Sequence, residues 1–194
     1  MEIIRGKDFE LKNTCVTIGK FDGVHIGHRT VLEAVKKISE ETDLKSVVLT
    51  FDFSYFNTEN GERLNTFTEK TELIEECGID IFIDYPFDDE TRNLSCETFA
   101  ENVLAKQLNT KAVIVGENFR FGKGAEGDTS VLKQLGRIYG FKTIVIPSVC
   151  YEGVTVSSTR IREELLRGNR EKAGFMLGIN GKEGTDYDQM GDYC

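Results

Sequence analysis

The 194-residue sequence predicts an α/β fold for residues 1–178, a parallel sheet with helices on both faces. Short apolar, β-branched runs alternate with segments of helical periodicity, the pattern of strands joined by crossover helices. The runs are too continuously apolar for strands with one wet face, so both faces should be buried. With 39% hydrophobic and 29% charged residues, the chain has the make-up to fill one core.

Strands are expected at residues 14–19 (TCVTIG), 46–51 (SVVLTF), 80–85 (DIFIDY), 111–116 (KAVIVG) and 142–147 (KTIVIP). After the first, Val31, Leu32, Val35 and Ile38 share a helical face. Leu73, Ile74 and Cys77 do so after the second, with Gly78 as the stop. Phe99, Ala100, Val103 and Leu104 follow a Ser95 cap, and Val131, Leu132, Leu135, Ile138 and Tyr139 precede Gly140. Two short helices close the domain: SSTRIREELLRG with Ile161, Leu165 and Leu166 inward, then NREKAGFMLG, capped by Asn169 and stopped by Gly178. Residues 179–194 are glycine-rich, acidic and poor in aliphatics, so a mobile tail is expected there.

Lys plus Arg number 24 against 33 Asp plus Glu, a net charge of −9 that disfavours nucleic acid and anionic membranes as partners. No basic–apolar leader and no membrane-length apolar run is present, which points to a cytoplasmic protein. The five cysteines are scattered, odd in number and without CxxC spacing, so reduced thiols are expected rather than disulfides or zinc.

The chain's only two histidines, His25 and His28, lie three residues apart in GKFDGVHIGH, directly after the first strand. That placement is the carboxyl edge of the sheet, where open α/β folds bind ligands. Gly19 and Gly23 permit a tight turn, and Gly27 clears a Cβ where helix-start N–H groups could face an anion. Two histidines lacking a third ligand at recognisable spacing make a poor zinc site, so no metal is assigned to protein ligands. In SSTRIR, Ser157 or Ser158 can cap a helix whose first turn faces phosphate, and Arg162 adds a cationic fork. Asn118, after the fourth strand, reaches the same edge.

TIGKFDGVHIGH resembles the HxGH signature of the nucleotidyltransferase superfamily, in the form of the bacterial bifunctional riboflavin kinase/FMN adenylyltransferases, the FAD synthetases. VLTFD at 48–52, VGENFRFGKGAEGD at 115–128 and VSSTRIREELLRGN at 156–169 match in order, and the resemblance covers about residues 14–178. It implies a Rossmann-like nucleotidyltransferase domain that transfers AMP from ATP to FMN, giving FAD and pyrophosphate with Mg²⁺ accompanying ATP. The catalytic residues it implies are His25, His28, Asn118, Thr159 and Arg162, with the pyrophosphate held by Ser158, Thr159 and Arg162. ATP would also meet Gly19, Phe21, Asp22, Gly23, Gly27, Ser157 and Ser158, and the flavin Asp52, Phe53, Tyr55 and Phe119. Because an attacking phosphate is already anionic, positioning and charge stabilisation suffice.

The match departs at TFDFSYFN, where the family continues TFD with Pro-His-Pro. Another phosphate ester as acceptor, such as nicotinamide mononucleotide or phosphopantetheine, and a binding protein without turnover therefore stay open. The riboflavin kinase domain is expected to be absent, which leaves a separate riboflavin kinase as a candidate supplier of FMN.

Overall fold

The computed structural model describes residues 1–53, 63–179 and 192–193. The predicted strands form as β2 (Thr14–Ile18), β3 (Lys45–Asp52), β4 (Ile81–Pro86), β5 (Thr110–Gly116) and β6 (Lys142–Ile146), joined at one edge by β1 (Glu2–Arg5). All run parallel in the order β1-β4-β3-β2-β5-β6. The sheet grows from β2 first through β3 and then, in the other direction, through β5, so the crevice lies at the carboxyl ends of β2 and β5.

Successive strand residues face opposite sides, which splits the core in two. Cys15, Val48, Phe82 and Ile114 pack under α1 (Ile26–Thr42) and α2 (Phe67–Glu76) through Leu32, Val35 and Ile74. Val16, Leu49, Ile83 and Val113 meet the opposite layer, which begins with α3 (Asp89–Arg92) and α4 (Cys96–Thr98). There α4 continues as a π-helix over Phe99–Gln107, and α5 (Thr129–Tyr139) brings Leu132 and Leu135. Ser95 caps α4 as expected, accepting from the Thr98 N–H. The π-helical winding, with the Leu108 N–H reaching the Val103 carbonyl, is invisible to residue periodicity.

A small antiparallel sheet follows: β7 (Val149–Tyr151), β8 (Val154–Thr155) and β9 (Asp192–Tyr193) in the order β8-β7-β9. Glu152 and Gly153 turn β7 into β8 with φ of 52° and 71°, the left-handed pair a type I′ hairpin requires. Then α6 (Ser158–Leu166) and α7 (Arg170–Leu177) bury Ile161, Ala173 and Met176 against Val156, with Ile26 of α1 packed alongside. This third cluster brings the end of the domain to the start of α1.

Several expectations need correction. Ile138, Leu165 and Leu166 point outward, Leu166 being 88% exposed; on α6 the inward place goes to Glu164, held by Arg160, Arg167 and Asn169. Asn169 takes the cap position of α7, yet its side-chain amide donates to Glu164 rather than capping. Cys15, Cys77 and Cys96 are free thiols, whereas Cys150 is disulfide-bonded. Its strand β7 pairs with β9, a neighbourhood that sequence spacing does not reveal. Cys194 and most of the expected tail lie outside the described residues. Among the described residues no helix is long and apolar enough to cross a membrane.

Candidate active site

The loop between β2 and α1 is wound tightly. Phe21, Gly23 and Val24 have φ of 49°, 88° and 38°, so the turn passes through the left-handed region three times. Phe21 and Val24 are buried, and that burial holds a backbone their side chains disfavour. Gly23 is required twice over: its φ is positive, and a Cβ there would meet Leu64 at 2.8 Å.

The turn delivers His25 to the N-cap of α1, where its Nδ1 accepts the His28 N–H at 3.3 Å. Nδ1 therefore carries no proton, and Nε2 is the donor. The imidazoles of His25 and His28 stack at 3.7 Å, with Phe21 5.1 Å from His28. A Cβ on Gly27 would press within 3.3 Å of the His25 ring, so the glycine makes room for the stack. Burial lowers the His25 pKa to about 4, although Asp22 pulls the other way. Burial likewise pushes His28 well below its usual value, with His25 and Lys70 adding like-charge repulsion. Both rings are neutral donors at neutral pH.

Facing them is α6. Ser157 caps it by accepting the Arg160 N–H at 3.2 Å, and the Ser158 hydroxyl donates to the Asp22 carbonyl at 2.7 Å. Arg162 forms an ion pair with the Asp22 carboxylate, whose other oxygen accepts the Leu64 N–H at 2.9 Å. Asp22 thus sets the guanidinium. Neither α1 nor α6 carries an acidic residue in its first turn, so both positive helix ends are left for an external anion.

A hollow of about 470 Å³ gathers these groups. Gly19, Phe21, Asp22, His25, Gly27 and His28 line it from the first loop; Ser157, Ser158, Thr159 and Arg162 from α6; Asn118 and Phe119 from the end of β5. The Asn118 amide donates to Ser148 at 3.2 Å. Gly23 does not line the hollow but sits against Leu64 and Leu177. Two more hollows adjoin. One of about 550 Å³ shares Gly19, Asn118 and Phe119 and is walled by Phe51, Phe53, Phe87, Phe99 and Phe121. The other, about 700 Å³, shares Asp22 and Arg162 and contains Asp52, Phe53, Arg63, Lys70 and Asp84. Of the residues expected at the flavin, Phe53 and Phe119 line the aromatic hollow and Asp52 the polar one. Tyr55 lies outside the described residues.

Sequence reasoning passed over Lys20, which lines all three hollows and lays its ammonium 4.9 Å over the Phe53 ring. Its position directly after Gly19 within GKFDGVHIGH was the available signal. Ser148, just before β7, and Thr155, in β8, were also missed, because the small sheet that brings them is too short to read from sequence.

A doubly wound sheet whose switch point carries two neutral imidazoles, a guanidinium and two open helix N-termini defines a Rossmann-like α/β protein of the nucleotidyltransferase type. The sequence model of FAD synthetases matches residues 7–160, and the chain belongs to that family. It is 38% identical over 186 residues to the bifunctional riboflavin kinase/FMN adenylyltransferase of Buchnera aphidicola subsp. Schizaphis graminum, covering 92% of this chain and 60% of that protein. The Escherichia coli K12 protein of the same name is 34% identical, with 92% and 59% covered. A putative bifunctional riboflavin kinase/FMN adenylyltransferase of Geobacillus thermodenitrificans is 35% identical over 170 residues, 87% of this chain and 91% of that one. A crystal structure described as a macrolide-efflux protein from Streptococcus pneumoniae superimposes with a TM-score of 0.78 at 25% identity, covering 92% of this chain and 70% of that one. The chain spans about 60% of the length of the Buchnera and Escherichia relatives.

Proposed function

We propose that this chain is an FMN adenylyltransferase, transferring AMP from ATP to FMN. A phosphate oxygen of FMN attacks the α-phosphorus of ATP, the bond to the β-phosphate breaks, and FAD and pyrophosphate are the products. The observation that supports this most directly is the convergence of His25, His28, Ser158, Thr159 and Arg162 on one hollow beside an aromatic one. The Nε2–H of His25 and the His28 ring donate to oxygens around the α-phosphorus, where negative charge accumulates in the transition state. Arg162 and the first turn of α6 hold the departing pyrophosphate. The flavin ring fits among Phe53, Phe119 and their aromatic neighbours, and the Asn118 amide fixes the substrate between the two hollows.

Among the described residues no group of three His, Cys, Asp or Glu is arranged to hold a metal. Mg²⁺ is taken to enter as part of the nucleotide substrate, bound to the triphosphate. A riboflavin kinase, the other activity in the relatives' names, would supply the FMN.

The test is to incubate the protein with ATP, Mg²⁺ and FMN and to separate the flavins. FAD with matching pyrophosphate supports the assignment. Failure to form FAD at high protein concentration overturns it, and pyrophosphate release with nicotinamide mononucleotide or phosphopantetheine instead would reassign the acceptor.

A further inference from the structure

The strained histidine loop is held at its entrance by one carbonyl. The Lys20 C=O accepts two side-chain hydrogen bonds, from Thr50 Oγ1 on β3 at 3.3 Å and from Lys70 Nζ on α2 at 2.9 Å. Thr50 is buried, and the start of α2 is fixed by a capping box in which Thr66 and Glu69 satisfy each other's backbone N–H. Immediately after Lys20 come the left-handed residues Phe21, Gly23 and Val24, then His25. A peptide under such strain relaxes if its neighbour is released, and here relaxation would move both the imidazole stack and Asp22.

Lys70 is half-buried in the wall of the 700 Å³ hollow. Desolvation lowers its pKa, while Asp22, Asp84 and Asp52 raise it and Arg63 lowers it further, so three carboxylates stand near the ammonium. A charge-assisted bond to a carbonyl is stronger than a neutral one, which suits a tie that must hold a strained turn.

We propose that Lys70 is a positioning residue for the active-site loop: its ammonium holds the Lys20 carbonyl and so fixes where His25 and the Asp22–Arg162 pair point. The kinetic arm of this inference rests on the adenylyl-transfer reading; the structural arm does not. In this assignment Lys70 acts through the loop rather than on a reacting atom.

Two readouts test it, in the variants Lys70→Met and Lys70→Arg. Amide hydrogen exchange of residues 19–25 should quicken roughly tenfold or more in Lys70→Met, as loss of a charged hydrogen bond predicts, and return towards wild type in Lys70→Arg. Exchange in the β3 and β4 amides should not change. Unaltered loop exchange in Lys70→Met overturns the proposal whether or not FAD is ever formed. Where the wild type makes FAD, kcat should drop about tenfold or more in Lys70→Met, with KM for ATP and FMN moving less than about threefold. A rise in KM with kcat intact also overturns the proposal, because it would make Lys70 a substrate contact. A wild type inert with FMN defeats the functional reading and leaves the exchange result to decide. Should Lys70→Met fail to fold, Lys70→Ala, which removes the donor and suits a helix, replaces it in both measurements: faster loop exchange supports the tie, and unaltered exchange overturns it.

Discussion

Replacing His25 with asparagine should flatten the acid side of the protein's stability profile. The native imidazole is held neutral down to about 4, whereas in the unfolded chain it protonates near 6.5. Below 6.5 the unfolded state therefore binds a proton that the native state refuses, and stability must fall with pH. The contribution is complete above pH 6.5 and is lost as pH drops towards 4, a span worth about 3 kcal/mol at roughly 1.36 kcal/mol per pH unit. Asparagine is a good N-cap and can still accept the His28 N–H, so the fold of α1 is preserved while the titrating group is removed. Urea titrations of both proteins from pH 7.5 to pH 4 supply the assay. The wild type should lose about 2–3 kcal/mol more than His25→Asn across that range. The carboxylates titrate in both proteins and largely cancel in the comparison, while loss of the His25 ring also removes one cause of the lowered His28 pKa, which flattens the variant's profile in the same direction. Parallel profiles, or a native His25 NMR titration midpoint near 6.5, would refute both the burial argument and the neutral-donor role built on it.

Three further outcomes are expected. His28→Ala should cut FAD formation by about 10²–10³-fold while leaving flavin affinity nearly unchanged, since in the proposed reaction its partner is the phosphate under attack; steady-state kinetics that show normal turnover would return His28 to a packing role. Ser157→Ala should cost α6 about 1 kcal/mol through loss of its N-cap and weaken ATP binding; calorimetry that finds unaltered ATP affinity would deny that the first turn of α6 faces the triphosphate. Gly136→Ala should destabilise the domain by about 1–3 kcal/mol despite the better helix propensity of alanine, because the new Cβ would lie 2.5 Å from the Phe141 carbonyl oxygen; a raised melting temperature would count against that contact.

Much of the sheet was legible because strands buried on both faces leave uninterrupted apolar runs, as β2 to β5 do; β6 is equally apolar in sequence, but it lies at the sheet edge and is only partly buried, against the expectation that both its faces are covered. The edge strand β1 was missed: Ile3 is 47% exposed, and four residues at a sheet edge leave no periodic trace. β7 and β8 are too short to announce themselves. On α6 the helical pattern misled, because the inner face includes an ionic cluster around Glu164 instead of Leu165 and Leu166. The first-loop and α6 residues of the site were readable because glycine, histidine and the SSTR cap each serve a local geometry. Lys70 was not: its bond to Lys20 spans 50 positions, and on an amphipathic helix a lysine beside Leu73 and Ile74 looks like any solvated one.

The bonds from Ser158 and Arg162 to Asp22 bridge 136 and 140 positions of the chain. A nascent polypeptide on the ribosome can complete the six-stranded sheet and still lack half of the candidate cleft until α6 has emerged. The proposed adenylyl transfer would thus become available only after α6 is synthesised, and a product truncated before Val156 would carry the sheet without the Ser158 and Arg162 side of the hollow.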